Sequence, residues 1–186
     1  AWNRIDEPRI DRVEIEGLAR TRADIVTAVI RLQPRDPLTL ESIRLAERRL
    51  DQLPTAAGGK VTYRPRAGGR ADVVAAVGEG GLIEPRVVLA LRLGAEFVGK
   101  HEARLRINSP TGRGEAVELG GRFESHRPSA WASIETPRLA SLPGVMTLSG
   151  VWDRQTYELA GNVGDAATVE TRRRGALDWS HWLTSS

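Results

Sequence analysis

Cysteine is absent from the 186 residues, which rules out a disulfide framework, a thiolate zinc site and a cysteine nucleophile. An oxidising compartment is compatible with that absence but does not follow from it. Lysine is almost missing: among 27 basic residues only Lys60 and Lys100 are lysines. Against 24 acidic residues the formal charge is +3. No basic stretch is long enough to form a continuous phosphate-binding face, so nucleic acid is not an expected partner. Long apolar runs are missing too; none approaches the ~20 residues of a membrane helix. Helical transmembrane topology is thereby excluded, while a membrane β-barrel is not. The N-terminal stretch AWNRIDEPRIDR lacks the basic-then-apolar layout of a signal peptide. We therefore expect that a leader has been removed or that the chain is a piece of something longer.

Catalytic constellations are equally sparse. His101 and Glu102 begin like a zinc-protease motif, but Leu105 stands where the second histidine belongs. His101, His126 and His181 have no ligand spacing, and no Gly-x-Ser-x-Gly elbow surrounds a serine. No catalytic residue, metal site or cofactor is expected, and the chain is not expected to be an enzyme. Gly112 and Gly114 flank Arg113, but Val117 stands where a third glycine of a dinucleotide fingerprint would be, and strand rather than helix follows. The pair is expected to be the turn of a hairpin opened by Pro110, with the glycines permitting positive φ.

What is present falls into two grammars. In the first, Val13 and Ile15 alternate with Glu14 and Glu16 until Gly17, the pattern of a half-buried strand. Thr21 to Asp24 suggests a capping box for a helix carrying Ile25, Val26, Val29 and Ile30. Pro34 and Pro37 break it, and Thr39 offers the cap of a second helix with Leu40, Ile43, Ala46, Leu50 and Leu53 at helical spacing. Two strands follow, one with Val61 and Tyr63, the other with Val73, Ala75 and Val77, joined by a turn over 66–70. The order is β-α-α-β-β.

The second grammar starts at Arg86 and is read as strand throughout. Val87, Leu89, Leu91, Leu93, Ala95 and Phe97 occupy every second position, as do Ala103, Leu105 and Ile107, then Val117, Leu119 and Phe123. Ala132 and Ile134, then Met146, Leu148 and Trp152, then Leu177 and Trp179 repeat the pattern less cleanly. The intervening positions are Val88, Ala90, Arg92, Gly94 and Glu96 in the first run, and mostly arginine and glutamate in the next two. Such alternation fits lipid-facing and lumen-facing sides of an outer-membrane barrel, with Trp131, Trp152, Trp179 and Trp182 as interfacial aromatics. It also fits a soluble antiparallel sheet with one wet face. In either case Arg172 and Arg174 share a face and Arg173 takes the other.

Read together, the halves resemble a known architecture. Residues 9–79 resemble a POTRA domain, through 11–79: the β-α-α-β-β order, a first strand ending in Val13, Glu14, Ile15, Glu16 and Gly17, Leu50 to Leu53 closing the second helix, and a last strand ending at Glu79. Residues 84–186 resemble the start of the barrel in the BamA/TamA-like outer-membrane-protein assembly factors (bacterial surface antigens). That likeness rests on Ile107 and Asn108, then Gly112 to Glu115, then Leu119 and Gly120, and Pro137 closing the next strand. The fold class it implies is an α+β N-terminal POTRA domain followed by an antiparallel all-β, partial transmembrane β-barrel. The family barrel is implied to have sixteen strands, and the residues after Glu79 allow only seven or eight; the late Val/Ile-Arg-Gly-Phe/Tyr motif is absent and the chain ends in Leu183 to Ser186 without a terminal aromatic. A fragment of a longer protein is expected.

The resemblance implies an assembly or translocation factor in the outer membrane with its POTRA domain in the periplasm. Implied partners are unfolded or extended outer-membrane protein clients, periplasmic accessory proteins and the lipid bilayer. The implied client-binding residues are Lys60, Val61, Thr62, Tyr63 and Arg64, an edge strand open to β-augmentation. Two alternatives stand beside it: the carrier portion of a patatin-like phospholipase autotransporter, and a soluble binding module with a β-sandwich tail.

Overall fold

The structure, a computed structural model, describes residues 8–137, 143–158 and 167–180. Its first unit comprises β1 (Arg9–Glu16), α1 (Ala23–Ile30), α2 (Leu40–Asp51), β2 (Ala56–Arg66) and β3 (Arg70–Glu79). The sheet order is β1-β3-β2, with β1 parallel to β3 and β2 antiparallel to it. Both helices lay their apolar stripes on one sheet face. Val26, Val29, Ile30, Ala46 and Leu50 are buried against Val61, Val73 and Ala75. At about 25 cal/mol per Å² of apolar surface removed from water, this cluster is what holds the unit together.

Local signals explain most boundaries. Thr39 caps α2 reciprocally with Ser42, each side chain bonded to the other's backbone N–H at 3.0 and 3.1 Å. Gly17 ends β1 with φ +82°, where a Cβ would lie 2.2 Å from the Val77 carbonyl oxygen. Only glycine fits there. Arg49 is 7% exposed and donates to the Ile30 carbonyl oxygen at 3.1 Å, satisfying the C-terminal end of α1. On the face away from the helices, Asp72 is 2% exposed beneath the stems of Arg12 and Arg66. The hydrogen bond from Arg66 holds its carboxyl below the usual carboxylate range.

Two expectations fail. Thr21 does not cap α1; Arg22 holds that position without a side-chain bond, because the Thr21 hydroxyl is committed elsewhere. The larger correction is at Arg86–Lys100, which forms a helix, α3, rather than a strand. Leucine, alanine, arginine, glutamate and lysine, all good helix formers, make up most of the segment against three valines and two glycines, and an apolar-rich run satisfies both periods. Arg92 bonds Glu96 one turn on at 3.1 Å and Glu84 at 2.9 Å. No residue of α3 is buried.

The second sheet follows in strict sequence order: β4 (Glu102–Asn108), β5 (Ala116–Arg122), β6 (Ser129–Pro137), β7 (Val145–Glu158) and β8 (Ala167–Ser180). Every neighbouring pair is antiparallel. This is an up-and-down meander, without Greek-key crossing.

Candidate functional site

The register sorts the side chains of the second sheet onto two faces. Leu105, Leu119 and Ala132 stand opposite one another across β4, β5 and β6, and Ile107, Val117, Ile134, Leu148 and Leu177 do so across all five strands. Leu119, Ile134, Leu148 and Leu177 are each 40% exposed or more. Trp152 and Trp179 lie on this same face at opposite ends. The distance from Trp152 to Met146, the partner of Trp179, is roughly 20 Å at ~3.3 Å per residue. At Trp152 the face turns polar, with Arg173 directly opposite the ring and Arg154 and Thr171 one step beyond.

The opposite face is a ladder of charge pairs. Arg122 bonds Glu102 at 2.7 Å, Arg106 reaches Glu135 at 3.1 Å and Glu118 at 3.9 Å, and Arg104 approaches Glu118 at 3.7 Å. Arg174 pairs with Asp153 across β7 and β8, and Arg172 with Glu170 along β8. Trp131 belongs here, not among the interfacial aromatics: its Nε1 donates to Glu118 at 3.3 Å, and the Arg104 guanidinium lies 5.8 Å from its ring centre. Gly120 makes the room, since a Cβ there would sit 2.2 Å from the indole. Leu89, Leu91 and Leu93, expected on the apolar strand face, are on α3 instead, and Phe123 and Glu124 lie past the end of β5. Trp182 and His181 fall outside the described residues.

The glycine pair is a hairpin turn, with Gly112 at φ +83° and Gly114 at φ +75°. It has a second role that its sequence did not announce. The Arg22 N–H donates to the Gly112 carbonyl oxygen at 3.0 Å, and Arg20 Nε donates to the Ser109 carbonyl oxygen at 3.2 Å. The Thr21 hydroxyl meets Ser109 Oγ at 3.1 Å and bonds the Glu79 carboxylate, which also accepts the N–H groups of Ala19 at 2.7 Å, Arg20 at 2.9 Å and Thr21 at 3.0 Å. Glu115 accepts the Arg113 N–H at 2.8 Å and that of Thr111. Arg106 NH2 donates to the Pro54 carbonyl oxygen at 2.8 Å, and Val145 packs on the core of the first unit. The first unit is thus tied to one end of the meander. Burial raises the pKa of both carboxyls, but the hydrogen bonds outweigh it, from Arg20, Thr21 and Ala19 at Glu79 and from Thr111 and Arg113 at Glu115. Each ends below its ordinary value.

The expected client-binding residues Lys60, Val61, Thr62, Tyr63 and Arg64 lie on β2, an edge of the first sheet. The edge has a guard. Gly59 N–H donates to Asp51 Oδ1 at 3.0 Å, and Val61 N–H donates to Glu47 Oε1 at 3.1 Å, both carboxylates coming from α2. Odd-numbered residues of β2 therefore turn their backbone groups outward, and Thr62, opposite Val74, turns its N–H into the ladder with β3. A proline at 62 would break the sheet rather than blunt its edge. Glu47 and Asp51 read in sequence as helix-surface charges, which is why the guard went unseen there. Among the described residues no group of three or more His, Cys, Asp or Glu could hold a metal ion. No described helix is long and apolar enough to cross a membrane, which says nothing about strands.

An α/β unit joined at one end to an antiparallel meander with one apolar and one charged face defines the fold class. No family model and no curated protein matches the sequence. Solved structures do share the fold. CdiB from Escherichia coli is 14% identical, with a TM-score of 0.62 over 92% of this chain and 32% of that one. A crystal structure of BamA from Haemophilus ducreyi lacking POTRA domains 1–3 is 12% identical, with a TM-score of 0.53 over 80% of this chain and 28% of that one. The chain spans about a third or less of the structures it resembles.

The carboxylate joint predicts a pH dependence. Because the folded pKa values of Glu79 and Glu115 are depressed, their contribution is complete above the ordinary carboxylate pKa of about 4.3 and disappears as pH falls through the folded values. Glu79→Gln should cost about 1–3 kcal/mol at neutral pH. In denaturant unfolding the gap between wild type and variant should narrow progressively as pH falls below about 4; a gap that stays equal at neutral and acidic pH would contradict the assignment.

Proposed function

We propose that this chain is a POTRA domain, residues 9–79, joined to part of an outer-membrane β-barrel, residues 84–186, in a protein-assembly or translocation factor that is not itself an enzyme. The two-faced meander carries this reading. A face whose leucines are exposed from β5 to β8, bounded by Trp152 and Trp179, suits acyl chains, and its charge-paired reverse suits a water-filled lumen. The likeness in fold to BamA and CdiB supports it. In this arrangement the first unit, tied to the 109–115 hairpin, sits in the periplasm, and further strands complete the wall, because open edges are not tolerated in lipid. The partners are the lipid bilayer, extended outer-membrane protein clients and periplasmic accessory proteins.

Client strands add to β2 along Lys60, Val61, Thr62, Tyr63 and Arg64, with main-chain bonds supplying affinity and little demand on sequence. The Gly59 and Val61 N–H groups must first leave Asp51 and Glu47. The carboxylates keep the edge from indiscriminate pairing, and a client replaces them group for group.

Two measurements test the reading. Leu105→Arg places a cation on the lipid side at a cost of roughly 2–4 kcal/mol near the midplane, whereas Arg104→Leu acts on the lumen side. The first should impair membrane assembly far more than the second, scored by heat-modifiable migration and protease resistance; equal effects would point to a soluble sandwich. For the edge, removing both carboxylates (Glu47→Ala with Asp51→Ala) should increase crosslinking of an extended client peptide to β2 several-fold. Unchanged or reduced capture would rule out exchange at this edge.

A further inference from the structure

Among the described residues the sheet has two open edges, those of β4 and β8, and at β4 the chain itself offers a partner. The Phe123 N–H donates to the His101 carbonyl oxygen at 2.7 Å and the Ser109 N–H to the Glu115 carbonyl oxygen at 2.6 Å. Odd-numbered residues of β4 therefore bond to β5, and the backbone groups of Glu102, Arg104, Arg106 and Asn108 point outward. Of these four N–H groups only that of Asn108 has a backbone partner among the described residues, the Leu82 carbonyl oxygen at 2.8 Å. The rest of the edge faces what the proposed function makes hydrocarbon, where unpaired backbone groups are not tolerated.

Taken as the first rung of an antiparallel ladder, the Asn108–Leu82 bond fixes a register for the segment that here forms α3. Continued in register, it would set Arg106 opposite Glu84, Arg104 opposite Arg86 and Glu102 opposite Val88. Between them, Ile107 would face Ile83, Leu105 would face Pro85 and Ala103 would face Val87. Every apolar residue of this second set falls on the apolar face of the sheet. Arg106 and Glu84 would form an opposite-charge pair on the other. Pro85, which has no N–H, falls at a position whose backbone points away from β4, where a proline is tolerated. Leu89 and Leu91 keep the same parity. A one-residue slip would reverse all of this.

As a helix the segment gains little from packing. Val87 is 71% exposed, Leu91 70% and Val98 80%, and Gly94 and Gly99 lie within the helix with nothing near their missing side chains. Leu93 and Phe97 touch the far end of the apolar face, Phe97 with its ring 6.0 Å from that of Phe123. We propose that residues 86–92 leave the α3 conformation in the membrane, and that 83–88 pair as a strand with the outer edge of β4 in the register set by Asn108 and Leu82. The inference rests on the barrel reading above.

Absence of native cysteine makes the test direct. Val87 and Ala103 would form a non-hydrogen-bonded pair, whose Cβ atoms lie within disulfide range. The full-length protein, with its wall complete, is given Val87→Cys with Ala103→Cys, reconstituted in phospholipid vesicles and oxidised, beside a control with Val88→Cys and Ala103→Cys. Intramolecular disulfide at least ten-fold more abundant in the first than in the second is the expected result. Equal yields, or none in protein that has inserted by heat-modifiable migration and protease protection, would overturn the strand while leaving the barrel standing. Failure of the unsubstituted full-length protein to insert would overturn both.

Discussion

A sheet with one largely apolar face cannot keep that face in water without losing the stabilisation that burial would give it. Here an apolar row runs across all five strands from Ile107 through Val117, Ile134 and Leu148 to Leu177, and the face turns polar only at and beyond Trp152. Nothing in the first unit covers it; that unit meets the meander at its end, not over its side. The charges behind it are paired across strands, so a slip of one residue would exchange arginines for leucines on both faces at once. The remaining features, the end-on attachment of the first unit and the flat sequential topology, follow from that one arrangement.

The attachment depends on a few polar groups. Glu79, at the last position of β3, gathers the backbone of the loop after β1, and Thr21 passes the contact on to Ser109 in the β4–β5 hairpin. Arg106 connects the charged face of the sheet to the carbonyl oxygen of Pro54. A hinge of water-exposed chain would leave the angle between the two parts free. Buried Ser109 and the carboxylates of Glu79 and Glu115 instead define it.

Much of this was legible in the sequence, and the exceptions have physical causes. Elements with a clean period and a local cap, such as α2 behind Thr39, were readable because the signals are local. The faces of β4 and of the first half of β5 were readable because apolar residues alternate with charged ones there. Residues 86–97 were read as strand, and α3 is helical, because leucine- and alanine-rich alternation satisfies either period. Trp131 was assigned with the other tryptophans because aromatic identity says nothing about parity; only its pairing with Gly120 places it among the charges. Glu47, Asp51 and Glu79 were invisible, since a carboxylate that accepts a distant backbone N–H looks in sequence like any surface acid. Long-range partners of this kind are set by tertiary structure alone.

Tryptophan quenching tests the two-faced sheet most directly. In the full-length protein reconstituted in vesicles of brominated phospholipid, with a single tryptophan retained at a time and the others replaced by phenylalanine, Trp152 and Trp179 should be strongly quenched. Trp131, beside Arg104 and Glu118, should be quenched by aqueous iodide or not at all. Quenching of Trp131 by the brominated chains, or protection of all three, would contradict a wall with lipid on one side and water on the other.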